Sequence, residues 1–186
     1  MLCVVEDGGS FPRHKHVERF TQFAEPEFTL YNETLDHVPQ EAYLALLGLE
    51  TISERLSKQG STAERIADFL RSSEFVSKVN YSSTTSLAAE YFPHGIGSIF
   101  SFELIEDESR VNRLINSCQI FSYVQNVGDV RSLIINPART THREVPFEFW
   151  EKDGLIPQLI RLSIGLEDAD DLIVDLDQAI RTAFES

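Results

Sequence analysis

An arginine inside an apolar strand is the feature that most constrains this sequence. Residues 159–168 read LIRLSIGLED, with Arg161 enclosed by aliphatic residues. A short apolar run of this kind predicts a strand that is at least half buried. A guanidinium in such a strand needs an anionic partner, because burying an unpaired charge is costly. The residues leave two partners open: an internal carboxylate, or a bound anion whose carboxylate suits the arginine fork.

A polar stretch lies shortly before this strand. Residues 125–142 read QNVGDVRSLIINPARTTH. The sequence predicts a polar bend at residues 126–129, an apolar strand at residues 132–135 and a hydroxyl-rich turn at residues 140–142. We expect the remainder of the chain to support this stretch and the strand that contains Arg161.

Two helices are predicted before the strands begin. Pro39 stands at a first-turn position, and apolar residues at helical spacing follow it. Gly60 is expected to end this helix. Ser61, with Glu64 three residues later, forms a capping-box pattern that predicts the start of the second helix. The first helix is apolar over much of its circumference, so we expect it to be buried on more than one side.

Strands and helices alternate from residue 76 to the carboxyl end. Strands are predicted at residues 76–81, 97–104, 120–124, 132–135 and 159–164. Helices are predicted at residues 87–91, 109–117, 147–152 and 169–184. Some strands follow one another without a long helix between them. We therefore expect an α/β (α+β) fold with a small antiparallel or mixed sheet, covered by helices on one face and preceded by a long linking helix.

Composition argues against several classes of partner. The formal net charge of −14 makes nucleic acid a poor candidate, because phosphate binding needs a basic patch. No apolar run approaches the roughly 18–20 residues of a membrane span, and residues 1–16 lack the basic start of a signal peptide. We therefore expect a cytoplasmic protein. Cys3, Cys118 and the five histidines show no metal-ligand spacing, so we expect reduced thiols and no metal site.

Residues 125–142 and the stretch that begins with the strand containing Arg161 resemble the C-terminal region of the Cys/Met-metabolism enzymes that use pyridoxal phosphate, the gamma-family of fold type I. VVEDGGSF at the start resembles the segment just after the family's cofactor lysine, and YLALLGLETISERL resembles its long linking helix. The bend Asn-Val-Gly-Asp is similar to that of the O-acetylhomoserine sulfhydrylases (homocysteine synthases). Lyases and cystathionine synthases typically have a Ser-Leu-Gly-Gly-like sequence there.

The resemblance implies a division of the chain and a set of substrate-binding residues. Residues 1–38 are expected to be an irregular remnant of the large cofactor domain, residues 39–72 linking helices, and residues 73–186 the C-terminal substrate-binding domain. Arg161 matches the arginine that binds the substrate α-carboxylate. Asn126 matches a bend position beside the substrate, and Val127 would present its backbone to the carboxylate. Thr141 matches the threonine of a turn near the same pocket.

The implied reaction is γ-replacement of acetate by sulfide. In the family, a lysine holds pyridoxal phosphate, but Lys15, Lys58, Lys78 and Lys152 do not match its position. The cofactor-binding and catalytic residues are expected upstream of the segment where this chain begins. We therefore expect no cofactor binding and no activity from the chain alone.

The expected partners are an amino-acid substrate and either further copies of the chain or an N-terminal half-enzyme. Two alternatives stay open for the function. One is a non-catalytic oligomerising remnant, and the other is a fragment of a cystathionine γ-synthase or γ-lyase. The sequence does not choose between sulfide and another thiol, or between acetyl and succinyl donors.

Overall fold

The computed structural model of the protein describes residues 39–105, 107–150, 152 and 154–185. The chain divides into two compact units, Met1–Ser53 and Glu54–Ser186. Residues 1–38, expected to be an irregular remnant of a cofactor domain, lie outside the described residues. No helix of the described part combines the length and the apolar character that crossing a membrane requires.

The first helix, α1 (Pro39–Glu50), begins at the proline that the sequence indicated. Proline suits the first turn because its missing N–H would have no partner there. The large apolar side chains of α1 are between 40% and 60% exposed: Tyr43, Leu44, Leu46, Leu47 and Leu49. The expectation of burial on more than one side is therefore wrong for this chain. An apolar circumference shows that a helix should be covered, but not by which surface.

The second helix, α2 (Ile52–Ser72), runs through both residues that were expected to separate two helices. The break falls at Thr51 instead, so the predicted end at Gly60 and the cap at Ser61 are wrong. Gly60 serves a different purpose. A Cβ atom added there would lie 2.6 Å from the backbone oxygen of Ile96. The missing side chain permits a close approach of two backbones, which is a use of glycine that a sequence pattern does not distinguish from a helix stop.

Four strands form one antiparallel sheet, as predicted. They are β1 (Val76–Asn80), β2 (Ile99–Leu104), β3 (Leu133–Ile135) and β4 (Leu159–Ser163). The strand order is β1-β2-β4-β3, and every neighbouring pair is antiparallel. The two central strands, β2 and β4, therefore have a partner on each side. In this register Arg161 lies opposite Ser101 on β2 and Ile135 on β3.

Three further α-helices are described: α3 (Ala88–Tyr91), α4 (Glu108–Ser117) and α5 (Ala169–Phe184). The two longer ones begin at aspartates, Asp107 and Asp168, whose side chains accept a hydrogen bond from a backbone N–H of the first turn. Such caps satisfy donors that the helix itself leaves unpaired. The helix predicted at residues 147–152 is only a 3₁₀ turn, Phe147–Phe149.

One face of the sheet forms the hydrophobic core with the helices, as expected. Every second residue of the central strands is buried on this face: Phe100, Phe102, Leu104, Ile160 and Leu162. Helices α2, α4 and α5 contribute the opposing side chains, among them Ile66, Leu70, Leu114, Leu172, Leu176 and Ile180. Full burial of one such side chain stabilises a fold by about 1.5–3 kcal/mol. The residues between them in the strands point to the opposite face.

The strand predicted at residues 120–124 is wrong. Only one bridge forms there, from Ser122 to Leu133 in parallel orientation. The buried carboxylate of Asp175, on α5, accepts hydrogen bonds from three successive backbone N–H groups, those of residues 119–121, at 2.8, 2.8 and 3.3 Å. Donors that bind a carboxylate are not available for a strand ladder, so the apolar run stays irregular.

The Cys118 thiol is a structural group. Its Sγ atom donates a hydrogen bond to the backbone oxygen of Leu114 at 3.4 Å. Burial, together with the nearby charge of Asp175, raises the pKa of Cys118 to about 12. The thiol is therefore protonated and unreactive at neutral pH.

Substitution of Gly60 tests the close approach of α2 to Ile96. Gly60→Ala should lower the free energy of unfolding by about 1–2 kcal/mol, because the clash with a backbone oxygen outweighs the better helix propensity of alanine. The measurement is urea denaturation followed by circular dichroism. Gly48→Ala is the matched control, since its added Cβ would meet nothing within 4 Å. Equal or greater stability of Gly60→Ala would contradict the packing described here.

Candidate functional site

A cavity of about 420 Å³ opens on the sheet face opposite the helices. Its wall combines strand residues with residues of the loops that follow β3 and precede β4. The lining residues are Asn80, Ile99, Phe100, Ser101, Pro137, His142, Val145, Gly154, Leu155, Leu159 and Arg161. The wall is largely apolar, with a few polar groups among which Arg161 is the permanent cation. This combination is typical of a small-molecule site.

Arg161 reaches the cavity because of its place in β4. Its neighbours Ile160 and Leu162 point into the core, so the pleat turns the arginine to the other face. Burial lowers the pKa of its guanidinium, which nevertheless stays charged at neutral pH. Among the described residues, the guanidinium of Arg161 has neither an ion pair nor a hydrogen bond. An unpaired, partly desolvated cation that faces a cavity fits the second alternative from the sequence, a bound anion.

The hydroxyl-rich turn lies at the edge of the cavity. The buried side chain of Asn136 builds this turn: its Oδ1 accepts from Ala138 N at 3.0 Å, and its Nδ2 donates to Pro157 O at 3.1 Å. His142 lines the cavity together with Arg161. Thr141, the residue singled out from the sequence, lies beside it, with its Oγ1 2.7 Å from His142 Nδ1. Thr141 is not itself a lining residue.

The polar bend does not contribute to the wall of this cavity. Asn126 donates from Nδ2 to the Asp129 carboxylate at 3.3 Å, and Val127 is exposed. Gly128 stands between Val127 and Asp129 in the sequence. Its φ of +69° is a backbone conformation that favours glycine. The predicted substrate residues thus fall into two groups. Arg161 and the turn at Thr141 meet at the cavity, whereas Asn126 and Val127 stand outside its lining.

Internal hydrogen bonds fix the shape of the bend. The Asp129 carboxylate accepts from the backbone N–H of Arg131 at 3.0 Å, and this bond, with a smaller contribution from the Asn126 side chain, lowers the pKa of the carboxyl. The backbone oxygen of Asp129 accepts from Nε2 of Gln59, a buried residue of α2, at 2.9 Å. The bend is therefore held to a helix of the core rather than left as a free loop.

A second anchor ties the end of the bend to the segment after β4. The Glu167 carboxylate accepts from the backbone N–H and from the hydroxyl of Ser132, both at 2.8 Å. The Ser132 hydroxyl in turn accepts from Gly165 N at 2.9 Å. A Cβ atom at Gly165 would collide with the backbone oxygen of Val130. The bend and the strand that contains Arg161 are therefore linked through a few short contacts.

Sequence reasoning missed three polar residues of the cavity: Asn80, Ser101 and His142. Ser101 is detectable in principle, because it alternates with two buried phenylalanines and so must face away from the core. Its position opposite Arg161 depends on the pairing of β2 with β4. The pattern of one strand does not reveal that pairing.

Comparison with known proteins places the chain in a family. Residues 21–181 match the family described as Cys/Met metabolism PLP-dependent enzymes. This match covers most of the sequence, and the architecture agrees with the solved structures described below. The chain therefore belongs to the pyridoxal-phosphate-dependent family of Cys/Met metabolism, as the resemblance indicated.

Several relatives are synthases of sulfur amino acids. The homocysteine/cysteine synthase of Saccharomyces cerevisiae is 30% identical over 97% of this chain, and O-acetyl-L-homoserine sulfhydrylase of Leptospira meyeri is 33% identical over 77%. Cystathionine β-lyase of Lactococcus lactis is 35% identical over 76%. These matches cover 49%, 34% and 38% of the relatives, respectively. The chain thus spans about half the length of the curated relatives at most.

Solved structures give the same result. A putative O-acetylhomoserine (thiol)-lyase of Campylobacter jejuni, with a pyridoxyl-lysine phosphate group, is 41% identical and superposes with a TM-score of 0.70. A cystathionine γ-synthase of Xanthomonas oryzae, solved with cystathionine, is 32% identical with a TM-score of 0.71. The matches cover 77% and 78% of this chain, and 35% and 38% of the relatives. The fold is that of part of a fold-type I enzyme.

The described cavity does not fit covalent attachment of pyridoxal phosphate. Its lining contains no lysine for a Schiff base and no carboxylate for the pyridine nitrogen. The described lysines are Lys58, Lys78 and Lys152, and none of them lines the cavity. Among the described residues there is also no group of three or more histidine, cysteine or acidic side chains that could hold a metal ion. The cavity fits the recognition of an anion.

Removal of the Glu167 carboxylate tests the anchor of the bend. Glu167→Ala should lower the free energy of unfolding by about 1–3 kcal/mol, because two donors of Ser132 lose a charged acceptor. Urea denaturation measures the change. Glu148→Ala, at an exposed position, is the matched control and should change stability by less than about 0.5 kcal/mol. Equal effects of the two substitutions would show that Glu167 is not an anchor.

Proposed function

We propose that this chain supplies the α-carboxylate-binding wall of an O-acetylhomoserine sulfhydrylase. In that reaction hydrosulfide displaces acetate at the γ-carbon of O-acetyl-L-homoserine and yields homocysteine and acetate. The observation that carries the proposal is the unpaired guanidinium of Arg161 in a largely apolar cavity. A carboxylate placed there would accept two parallel N–H bonds and neutralise the charge.

The other residues have subsidiary roles in the proposal. Thr141 and His142 lie at the cavity edge, beside the carboxylate. The turn after β3 holds both residues there. Asn126 and Val127, on the anchored bend, contact the substrate from a second side. This side lies outside the lining of the described cavity. The rigid attachment of this bend to Gln59 and Glu167 supports such a role, because a binding loop loses less entropy when it is ordered beforehand.

The choice of reaction rests on the bend. Relatives of this chain include lyases and synthases at comparable identity, so overall similarity does not separate them. Asn-Val-Gly-Asp at residues 126–129 resembles the sulfhydrylases, whereas a Ser-Leu-Gly-Gly-like bend would favour a lyase or a cystathionine synthase. A cystathionine γ-synthase or γ-lyase is accordingly the second candidate function.

The proposal also includes the organisation of the whole enzyme. Residues 1–38 belong to a cofactor domain, residues 39–72 are linking helices, and residues 73–186 form the substrate-binding domain. The match covers only 49% of the Saccharomyces cerevisiae relative. In the proposal, the cofactor lysine belongs to a portion that corresponds to the rest of that relative. The exposed apolar side chains of α1 are suited to contact with that portion or with a second copy. The reaction takes place in the cytoplasm.

A chimeric enzyme tests this function. The segment of the Campylobacter jejuni protein that this chain matches is replaced by the corresponding residues of this chain, so that the cofactor lysine is present. The chimera should form homocysteine from O-acetyl-L-homoserine and sulfide. Arg161→Ala should lower kcat/KM about ten- to a hundredfold, because a charged hydrogen bond to a carboxylate is worth about 1.5–3 kcal/mol. Homocysteine formation is measured by mass spectrometry.

Arg181→Ala is the matched control for this experiment. Arg181 is an exposed arginine of α5 that pairs with Asp177 four residues earlier, and it does not line the cavity. Its removal should leave kcat/KM unchanged. An unaltered kcat/KM of Arg161→Ala would refute the carboxylate-binding role. Formation of cystathionine from cysteine, without homocysteine formation from sulfide, would instead favour the synthase alternative.

A further inference from the structure

The pairing of β2 and β4 places a carboxylate within reach of Arg161. Glu103 lies opposite Leu159, and Ser101 lies opposite Arg161. All four side chains point away from the core, because the residues between them are buried in it. Glu103 and Arg161 are thus diagonal neighbours across an antiparallel pair. Side chains so placed are roughly 7–8 Å apart at their bases, and long ones can meet.

Glu103 is engaged elsewhere in the structure. Its Oε1 atom accepts a hydrogen bond from Nδ2 of Asn80 at 2.9 Å. The same oxygen lies 3.5 Å from Nζ of Lys78. Both partners belong to the edge strand β1, where Lys78 pairs with Glu103 and Asn80 pairs with Ser101. The carboxylate is therefore drawn toward β1, the side of β2 that is opposite β4.

An ion pair between Glu103 and Arg161 would disable the proposed site. It would satisfy the guanidinium internally and leave no free fork for a ligand. Its absence needs a cause, since the two groups have opposite charges and share a sheet face with an apolar cavity. The two contacts to β1 provide that cause. The Glu103 carboxylate already has a hydrogen-bond donor, Asn80, and a cation, Lys78, on the β1 side, so it gains little by turning toward Arg161 on β4.

We propose that Asn80 and Lys78 are positioning residues that hold Glu103 away from Arg161 and so keep the guanidinium free to bind a carboxylate. They act through Glu103 rather than by contact with the ligand. The proposal rests on the carboxylate-binding function given above. It adds a specific requirement: β1 must compete successfully with β4 for one acidic side chain.

The first experiment needs no ligand. In the full chain, the side-chain Nε–Hε signal of Arg161 is followed by NMR, and its hydrogen exchange is measured. Asn80→Ala should shift this signal and slow the exchange several-fold, because Glu103 then pairs with Arg161. The added substitution Glu103→Gln should reverse both changes. Asn112→Ala, an exposed asparagine of α4, is the matched control and should leave the Arg161 signal unchanged.

Lys78→Met provides an independent variant, because Lys78 is largely exposed and does not line the cavity. It should move the Arg161 signal in the same direction by a smaller amount, again with reversal by Glu103→Gln. If Asn80→Ala does not fold, this pair of variants decides the question. An Arg161 signal that neither Asn80→Ala nor Lys78→Met alters, or that Glu103→Gln fails to restore, would overturn the proposal.

The second experiment separates the positioning role from the proposed function. O-acetyl-L-homoserine is titrated into the same chain while the Arg161 signal is observed. Asn80→Ala should weaken binding about three- to tenfold, and Asn80→Ala with Glu103→Gln should restore it. Weaker binding without restoration would mean that Asn80 contacts the ligand directly, which contradicts the proposal. No response of the wild-type signal would refute the carboxylate site, while the exchange measurement still decides the positioning role.

Discussion

The alternation of side chains in the two central strands is the constraint on which the structure depends. Every second residue of β2 and β4 is buried against three helices, and this burial fixes the orientation of both strands. A shift by one residue would bring Arg161 into the core and expose its aliphatic neighbours. The hydrophobic core therefore determines that the guanidinium faces the cavity. Core packing alone therefore orients the Arg161 side chain. In the proposed site, its guanidinium must in addition lack an internal carboxylate partner.

Much of the fold could be predicted because its signals are local. The closing helix α5 has the predicted bounds, and β1, β2 and β4 were placed to within two residues. The failures occurred where a distant partner decides the local conformation. Gly60 lies inside a helix, where its missing side chain admits the backbone of Ile96, and the run from residue 120 is irregular because Asp175 takes the donors of residues 119–121. Neither partner is visible in the local pattern of the sequence.

The candidate site shows the same division. The arginine was recognisable from its apolar surroundings, since charge in such a run is costly. The sequence could not decide between an internal partner and a ligand, because thirty acidic residues were available to pair with it. The strand order and the contacts of Glu103 show that the one carboxylate diagonal to Arg161 on β2 is engaged by β1 instead. Polar lining residues such as Asn80 were missed for the same reason, because cross-strand neighbours are set by tertiary pairing.

The carboxylate of Asp175 has a consequence for how such a sequence can change over time. It binds the backbone of residues 119–121, and none of their side chains takes part in these bonds. The exposed side chains of residues 119 and 120 can therefore vary more freely than Asp175, whereas Phe121 is constrained by its own burial in the core. Two segments in close contact are thus expected to evolve at different rates. Related sequences should preserve an acid on the helix, while the exposed part of the loop that it supports varies more.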